Sequence, residues 1–316
     1  MFTHRFLGTL DAYWQTSTTS QRILFITGTI LMVWMLAHGM AMFVLDSPLD
    51  GPVSLRKAMT FAETGWLMCW ATGFVLPYLQ TRRWQRWVII MGVLQFAIVE
   101  TFLVSLQAWR GVPSHYNFAT PFDSVVFSVM GIGALLYLVG MIVLLVTLFG
   151  TNTLPPSLRL AFRSGTVLMI IGGLSGYFMM MNLGSLYQGD TAQTLATITS
   201  GEIIGAYQGT AEGATGGNIL IIHALGVHGL SLAPLAAWLL TYTSLTDRRQ
   251  QHITALVVWG LFGLITVLTI QMLQLRPLVM PGLMLGGFIA VSLAVLGLGY
   301  VLTAWYTLRA WQAPTT

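Results

Sequence analysis

Five ionisable side chains stand inside long apolar runs of this sequence: His38, Glu63, Glu100, His223 and His228. Neutral imidazole nitrogen is a ligand for iron, copper, zinc and haem. A carboxyl held beside it can orient such a ligand or exchange a proton with it. Spacing limits what the histidines can do together. In "HALGVHGL" His223 and His228 are five residues apart, about 140° around an ideal helix. A single ion is gripped by both only if the helix distorts, and Gly226 and Gly229 are the places where it could. A second group lies between two apolar runs, in "WRGVPSHYNFATPFD", residues 109–123. There Arg110, His115 and Asp123 sit among turn formers and ring systems.

These residues must be positioned by elements that live in hydrocarbon. Of 316 residues 55% are hydrophobic and only 8% charged, against about a quarter charged in a soluble domain. Lipid is therefore the solvent for much of the chain. About 20 apolar residues cross a bilayer core as a helix, and eight segments reach that length: 23–45, 58–79, 87–109, 124–149, 160–182, 218–243, 252–274 and 282–308. An all-α polytopic membrane protein follows, because backbone in lipid must satisfy its own hydrogen bonds. The first run, beginning near Arg22, is too long for a cleaved signal and reads as a span. Residues 23–309 form one eight-helix membrane domain, with a long connector at 183–217 and a tail at 310–316. Ahead of it, Phe2, Phe6, Leu10 and Tyr13 recur at helical spacing, so 1–22 is expected as an interfacial amphipathic segment.

Charge sets the expected direction. Arg5, Arg22, Arg82, Arg83, Arg86, Arg159, Arg163, Arg248, Arg249 and Arg309 fall on one side by alternation. The other side receives Arg56, Lys57, Arg110 and Arg276. Ten against four gives N-in and C-in. The connector 183–217, with Asp190, Glu202 and Glu212 and neither Lys nor Arg, then lies outside. The net charge of +4 reflects this placement, so nucleic acid is not an expected partner. Counted by rise from the outer ends, Glu63 lies roughly 9 Å, Glu100 roughly 14 Å, His223 roughly 8 Å and His228 roughly 15 Å deep. With His38 they share one outer layer beneath the 109–123 connector.

Each residue also has a plain structural reading. A lone intramembrane histidine often only donates to a carbonyl. Glu100, Gln107 and Arg110 share a helix face and could form a structural clamp. Met40, Met42 and Met179 to Met181 offer thioethers suited to copper(I) but equally fill helix interfaces. Cys69 is the only cysteine, so neither an internal disulfide nor a CxxC site exists. No GxxxxGK[ST] is present, and Lys57, the only lysine, is at an interface and does not offer a retinal Schiff base in the last span.

In "LQAWRGVPSHYN…TPFD", "HALGVHGL" and "RKAMTFA" the chain resembles a family of polytopic bacterial membrane proteins. That resemblance covers most spans and implies a helical fold in the bacterial inner membrane. The family's sixth span usually opens on Gly-Asp, where this chain has Gly217-Asn218. In architecture alone the chain is similar to haem A synthase-like proteins. Their Glu-x-x-x-His pattern is absent, since Glu63 is followed by Thr64, Gly65, Trp66 and Leu67.

The leading expectation is a site in the outer half that binds haem b or a transition metal, copper or iron, through His38, His223 and His228. Glu63, Glu100, Arg110, His115 and Asp123 would serve chemistry around it. A membrane oxidoreductase would act at the periplasmic side with a quinone or a periplasmic redox partner. The alternative is a proton-coupled transporter or sensor without cofactor, or a structural subunit of a homo-oligomer or larger membrane complex.

Overall fold

The computed structural model describes residues 11–49, 53–184, 219–274, 276 and 281–312, without the side chains of 179–184. Among these residues every regular element is helical. Helix α1, Thr19–Val44, starts at a capping box: Thr18 Oγ1 accepts from the Gln21 amide and Gln21 Oε1 accepts from the Thr18 amide. Helix α2, Leu55–Val75, is capped by Ser54 and runs into a single 3₁₀ turn, Leu76–Tyr78. Helix α3, Arg83–Leu94, continues through a π-helical turn, Gln95–Glu100, into α4, Thr101–Trp109. Then follow α5, Pro121–Gly150, α6, Pro156–Gly184, α7, Ile219–Val227, α8, Gly229–Leu240, α9, Asp247–Leu273, and α10, Gly282–Gln312.

Among the described residues six helices are long and apolar enough to cross a membrane: α1, α3 with α4, α5, α6, α9 and α10. The chain is thus a polytopic membrane protein. The pair α7–α8 would make a seventh if taken as one span. The expected second span falls on α2, Leu55–Val75, which is not among those six; Glu63, Thr60, Thr64, Thr72 and its glycines dilute its apolar run.

The segment 218–243, read as one span that could distort at Gly226 and Gly229, is broken between those glycines at His228, where α7 and α8 meet at 43°. His228 has φ −92° and ψ 6°, outside the helical basin. Pro234, one turn further on, cannot donate to the carbonyl four residues back. Hydrophobicity alone reads straight through such a break.

α2 lies at the centre of the first half, against α1, α4 and α8. α6 holds the second half together through α5, α7, α8 and α9. Two glycines let α6 and α7 touch: a Cβ on Gly226 would stand 2.5 Å from the Gly172 Cα, which no real side chain tolerates. α10 packs chiefly on α9 and to a lesser extent on α8, and leaves most of its surface outward. Ahead of α1, residues 11–16 are helical. Tyr13 stacks on Phe74 at 5.4 Å, and its hydroxyl donates to the Phe74 carbonyl at 2.8 Å. The described part of the expected interfacial segment is therefore docked on the bundle. The connector 183–217, its acidic residues and the Met179–Met181 side chains lie outside the described residues, except for the backbone of 183 and 184.

Candidate functional site

Beneath the 109–123 connector, α2, the π turn, α5, α6 and α7 enclose a cavity of about 350 Å³. Its charged and imidazole lining is Arg56, Lys57, Glu100, His115, His223 and His228, from four separate stretches of chain. Phe61, Phe96, Phe127, Tyr137 and Tyr177 supply aromatic walls.

Glu100 is the group least satisfied by the protein. It closes the π turn, a local widening that rotates the residues after it relative to a regular helix and often marks function. The side chain is 5% exposed, and Oε1 has no hydrogen-bond partner. Lys57, Tyr137 and Tyr177 lie close enough to interact with it electrostatically. The tyrosine hydroxyls are turned elsewhere, to the Met169 carbonyl at 3.2 Å and the Gly131 carbonyl at 3.3 Å. A buried carboxyl oxygen without a donor is costly. It is where a ligand, a water or a proton would be held.

The histidines differ in state. His223 Nδ1 lies 2.8 Å from the Gly172 carbonyl, a pure acceptor, so Nδ1 carries the proton. The glycine contact between α6 and α7 brings that carbonyl within reach, and the ring rests against Gly176. Nε2 of His223 therefore keeps its lone pair, and no hydrogen bond engages it among the described residues. His115 is the reverse. Its Nδ1 accepts from Lys57 Nζ at 3.1 Å, and an ammonium can only donate, so Nε2 carries the proton. Burial and the Lys57 charge hold His115 well below the ordinary imidazole value. His228 sits at the helix break, with its ring nitrogens unbonded among the described residues. Glu63, half-buried, is its nearest electrostatic partner, although Glu63 does not line the cavity.

The connector folds inward above this cavity. Gly111 at φ +69° ends α4, with Val112 N–H bonding the Gln107 carbonyl and Gly111 N–H the Ala108 carbonyl. Tyr116 adopts φ +58°, unusual for a side chain of this size, and is 4% exposed. Ser114 and Asn117 are buried beside it. Asp123 closes the arrangement, accepting from Arg110 at 2.6 Å, Gln107 Nε2 at 2.8 Å and Thr120 Oγ1 at 2.6 Å. Arg110 also donates to Gln107 Oε1. The expected Arg110 pairing thus forms with Asp123, and Glu100 is not part of it. Arg110 and Asp123 hold the connector's ends together and do not line the cavity.

His38 also stands apart from the cavity. Its Nδ1–H donates to the Trp34 carbonyl at 2.9 Å, and Nε2 accepts from Trp109 Nε1 at 3.1 Å. Both nitrogens are engaged, so any ligand role would require Trp109 to withdraw. Of the three expected ligands, the structure brings His223 and His228 to one cavity and leaves His38 outside it. Among the described residues no group of three or more His, Cys, Asp or Glu is disposed to hold a metal ion.

Protein-family models, curated proteins and solved structures give no match to this chain. The site has to be interpreted from its own chemistry. Lys57, Tyr137 and Tyr177 are members that motif reading did not single out. Their signal was rarity: Lys57 is the only lysine, and Tyr137 the only tyrosine in α5. Together these groups can bind a small ligand carrying a hydrogen-bond donor and an acceptor, against an aromatic surface. They can also pass a proton between imidazole and carboxyl.

Proposed function

We propose that this protein is a proton-linked transporter or sensor, binding a small polar ligand between α2, the π turn and α5–α7. The observation that carries this reading is the buried, unpartnered Glu100 carboxyl lining a cavity with three histidines and a lysine. Glu100 would hold the proton or a ligand donor, His223 Nε2 would accept, and His115 Nε2–H would donate. The break at His228 supports transport in particular, because discontinuous helices beside a midmembrane site let one half move against the other.

In this reading the protein has eight spans, with α2 and the bent α7–α8 pair each counted once. It lies in the bacterial inner membrane with both termini inside, and the cavity faces the periplasmic half. The test is a thermal-stability screen of the purified protein against small organic acids, amines and neutral polar compounds. A true ligand stabilises the wild type and fails to stabilise Glu100→Gln or His223→Ala. If no compound class separates these variants from wild type, the reading is wrong.

A second reading has one observation behind it. His223 Nε2 and the His228 ring are unengaged, and imidazole in that state suits haem b, copper or iron. The absorption spectrum and metal content of the purified protein decide between the readings. A Soret band or stoichiometric metal lost in His223→Ala would favour redox chemistry, with a quinone as the natural partner.

A further inference from the structure

A second, larger void lies at the opposite end of α2. Residues Ser54 to Thr64 of that helix line the polar cavity, whereas Trp66 to Phe74 line a cleft of about 790 Å³ between α1, α2 and α8. The cleft opens sideways. Ile26, Ile30, Trp70 and Leu235 on its rim are 40–57% exposed, and in a membrane protein such surface meets lipid.

The lining asks for hydrocarbon and nothing else. Tyr13 Oη donates to the Phe74 carbonyl, and Trp70 Nε1 to the Phe25 carbonyl. Thr29 Oγ1 also serves the Phe25 carbonyl, and Ser231 Oγ serves the His228 carbonyl. Trp66 Nε1 has no partner, but it is shut away from any probe the size of water. Trp238 and Tyr242 are engaged as well, so the polar groups of the cleft wall are largely taken up by the protein, and the Trp14 indole stands at its edge. Water does not fill an apolar void of this kind, and leaving it empty forfeits the dispersion contacts of its walls. At one edge of the cleft Trp14 carries the Arg22 guanidinium over its ring, 5.6 Å from the centroid. That cation is placed to meet a phosphate.

We propose that the cleft is a phospholipid site, taking one acyl chain from the surrounding bilayer with the headgroup phosphate at Arg22. A tail lodged there would wedge α1 and α8 against α2 and so brace the helix that also lines the polar cavity. The experiment is native mass spectrometry of the full chain after exchange into a delipidating detergent. The wild type is expected to retain one phospholipid per chain. Ala71→Phe and Thr29→Phe, which fill the cleft from α2 and from α1, are expected to lose it while eluting as single species. Ala290→Phe, on the outward face of α10, is expected to keep it. A wild type that retains no lipid overturns the proposal, whatever the variants do. So does retention undiminished in both cleft variants, or a bound molecule with a prenyl tail in place of acyl chains.

Discussion

Two groups of polar residues share one end of this bundle, and they differ in one respect. In the clamp, Arg110, Gln107, Thr120 and Asp123 satisfy one another, and His38 is likewise closed between Trp34 and Trp109. In the cavity, Glu100 Oε1 and His223 Nε2 lack hydrogen-bond partners among the described residues. Both groups hold buried ionisable side chains, so burial and charge alone do not distinguish a site from a brace. What distinguishes them is whether the hydrogen bonding is complete. A completed network rigidifies the fold, while an incomplete one buried at a cavity costs stability unless something else completes it.

The sharpest way to break this contrast is at Asp123. Asp123→Ala removes the acceptor of three side chains, one of them charged, and leaves Gln107 buried without it. A loss of about 3 kcal/mol in unfolding free energy in detergent is expected. A loss under about 1 kcal/mol would show that the clamp is not a brace. His38→Ala should cost less, about 2 kcal/mol, because it removes two neutral hydrogen bonds and leaves the Trp109 indole unpaired. Unchanged stability, or a loss of bound ligand in that variant, would move His38 from the brace to the site.

His115 belongs to both groups, packed under the connector and lining the cavity, and it makes the contrast pH-dependent. Its folded value lies well below the ordinary one near 6.5, so the native protein binds fewer protons than the unfolded chain once pH falls beneath that value. Stability is then level above about pH 6.5 and declines below it, by about 1 kcal/mol over the first unit. His115→Gln should flatten that decline, and a slope identical to wild type would contradict the assignment. The smallest effect is expected at the site itself. Glu100→Gln keeps the shape and gives up no hydrogen bond at Oε1, so stability should stay within about 1 kcal/mol of wild type.

Much of this was legible beforehand. Runs of about 20 apolar residues place the helices to within a few residues, and of the five residues that rise per residue puts in one layer, Glu100, His223 and His228 do line one cavity, while His38 and Glu63 do not. Three features were not. The break at His228 depends on backbone angles that Gly226, Gly229 and Pro234 allow but do not dictate. The π turn at Gln95–Glu100 leaves no mark in hydrophobic periodicity, yet it sets where Glu100 points. The partner of Arg110 was undecided because Glu100 and Asp123 are both within sequence reach. The fold chooses Asp123 by bringing the start of α5 back over the end of α4. His38 shows the limit of depth as a criterion, since a tryptophan from another helix completes its bonding.

The central claim is that Glu100 exchanges protons as ligand enters the cavity. Transient charge displacement on a supported membrane carrying the reconstituted protein tests it most directly. The stabilising compound from the thermal screen would be applied as a concentration jump. Wild type and Arg110→Lys, which keeps the clamp's charge, should both give a pH-dependent current, and Glu100→Gln, folded and equally stable, should give none. A full current from Glu100→Gln with unchanged pH dependence would contradict the account.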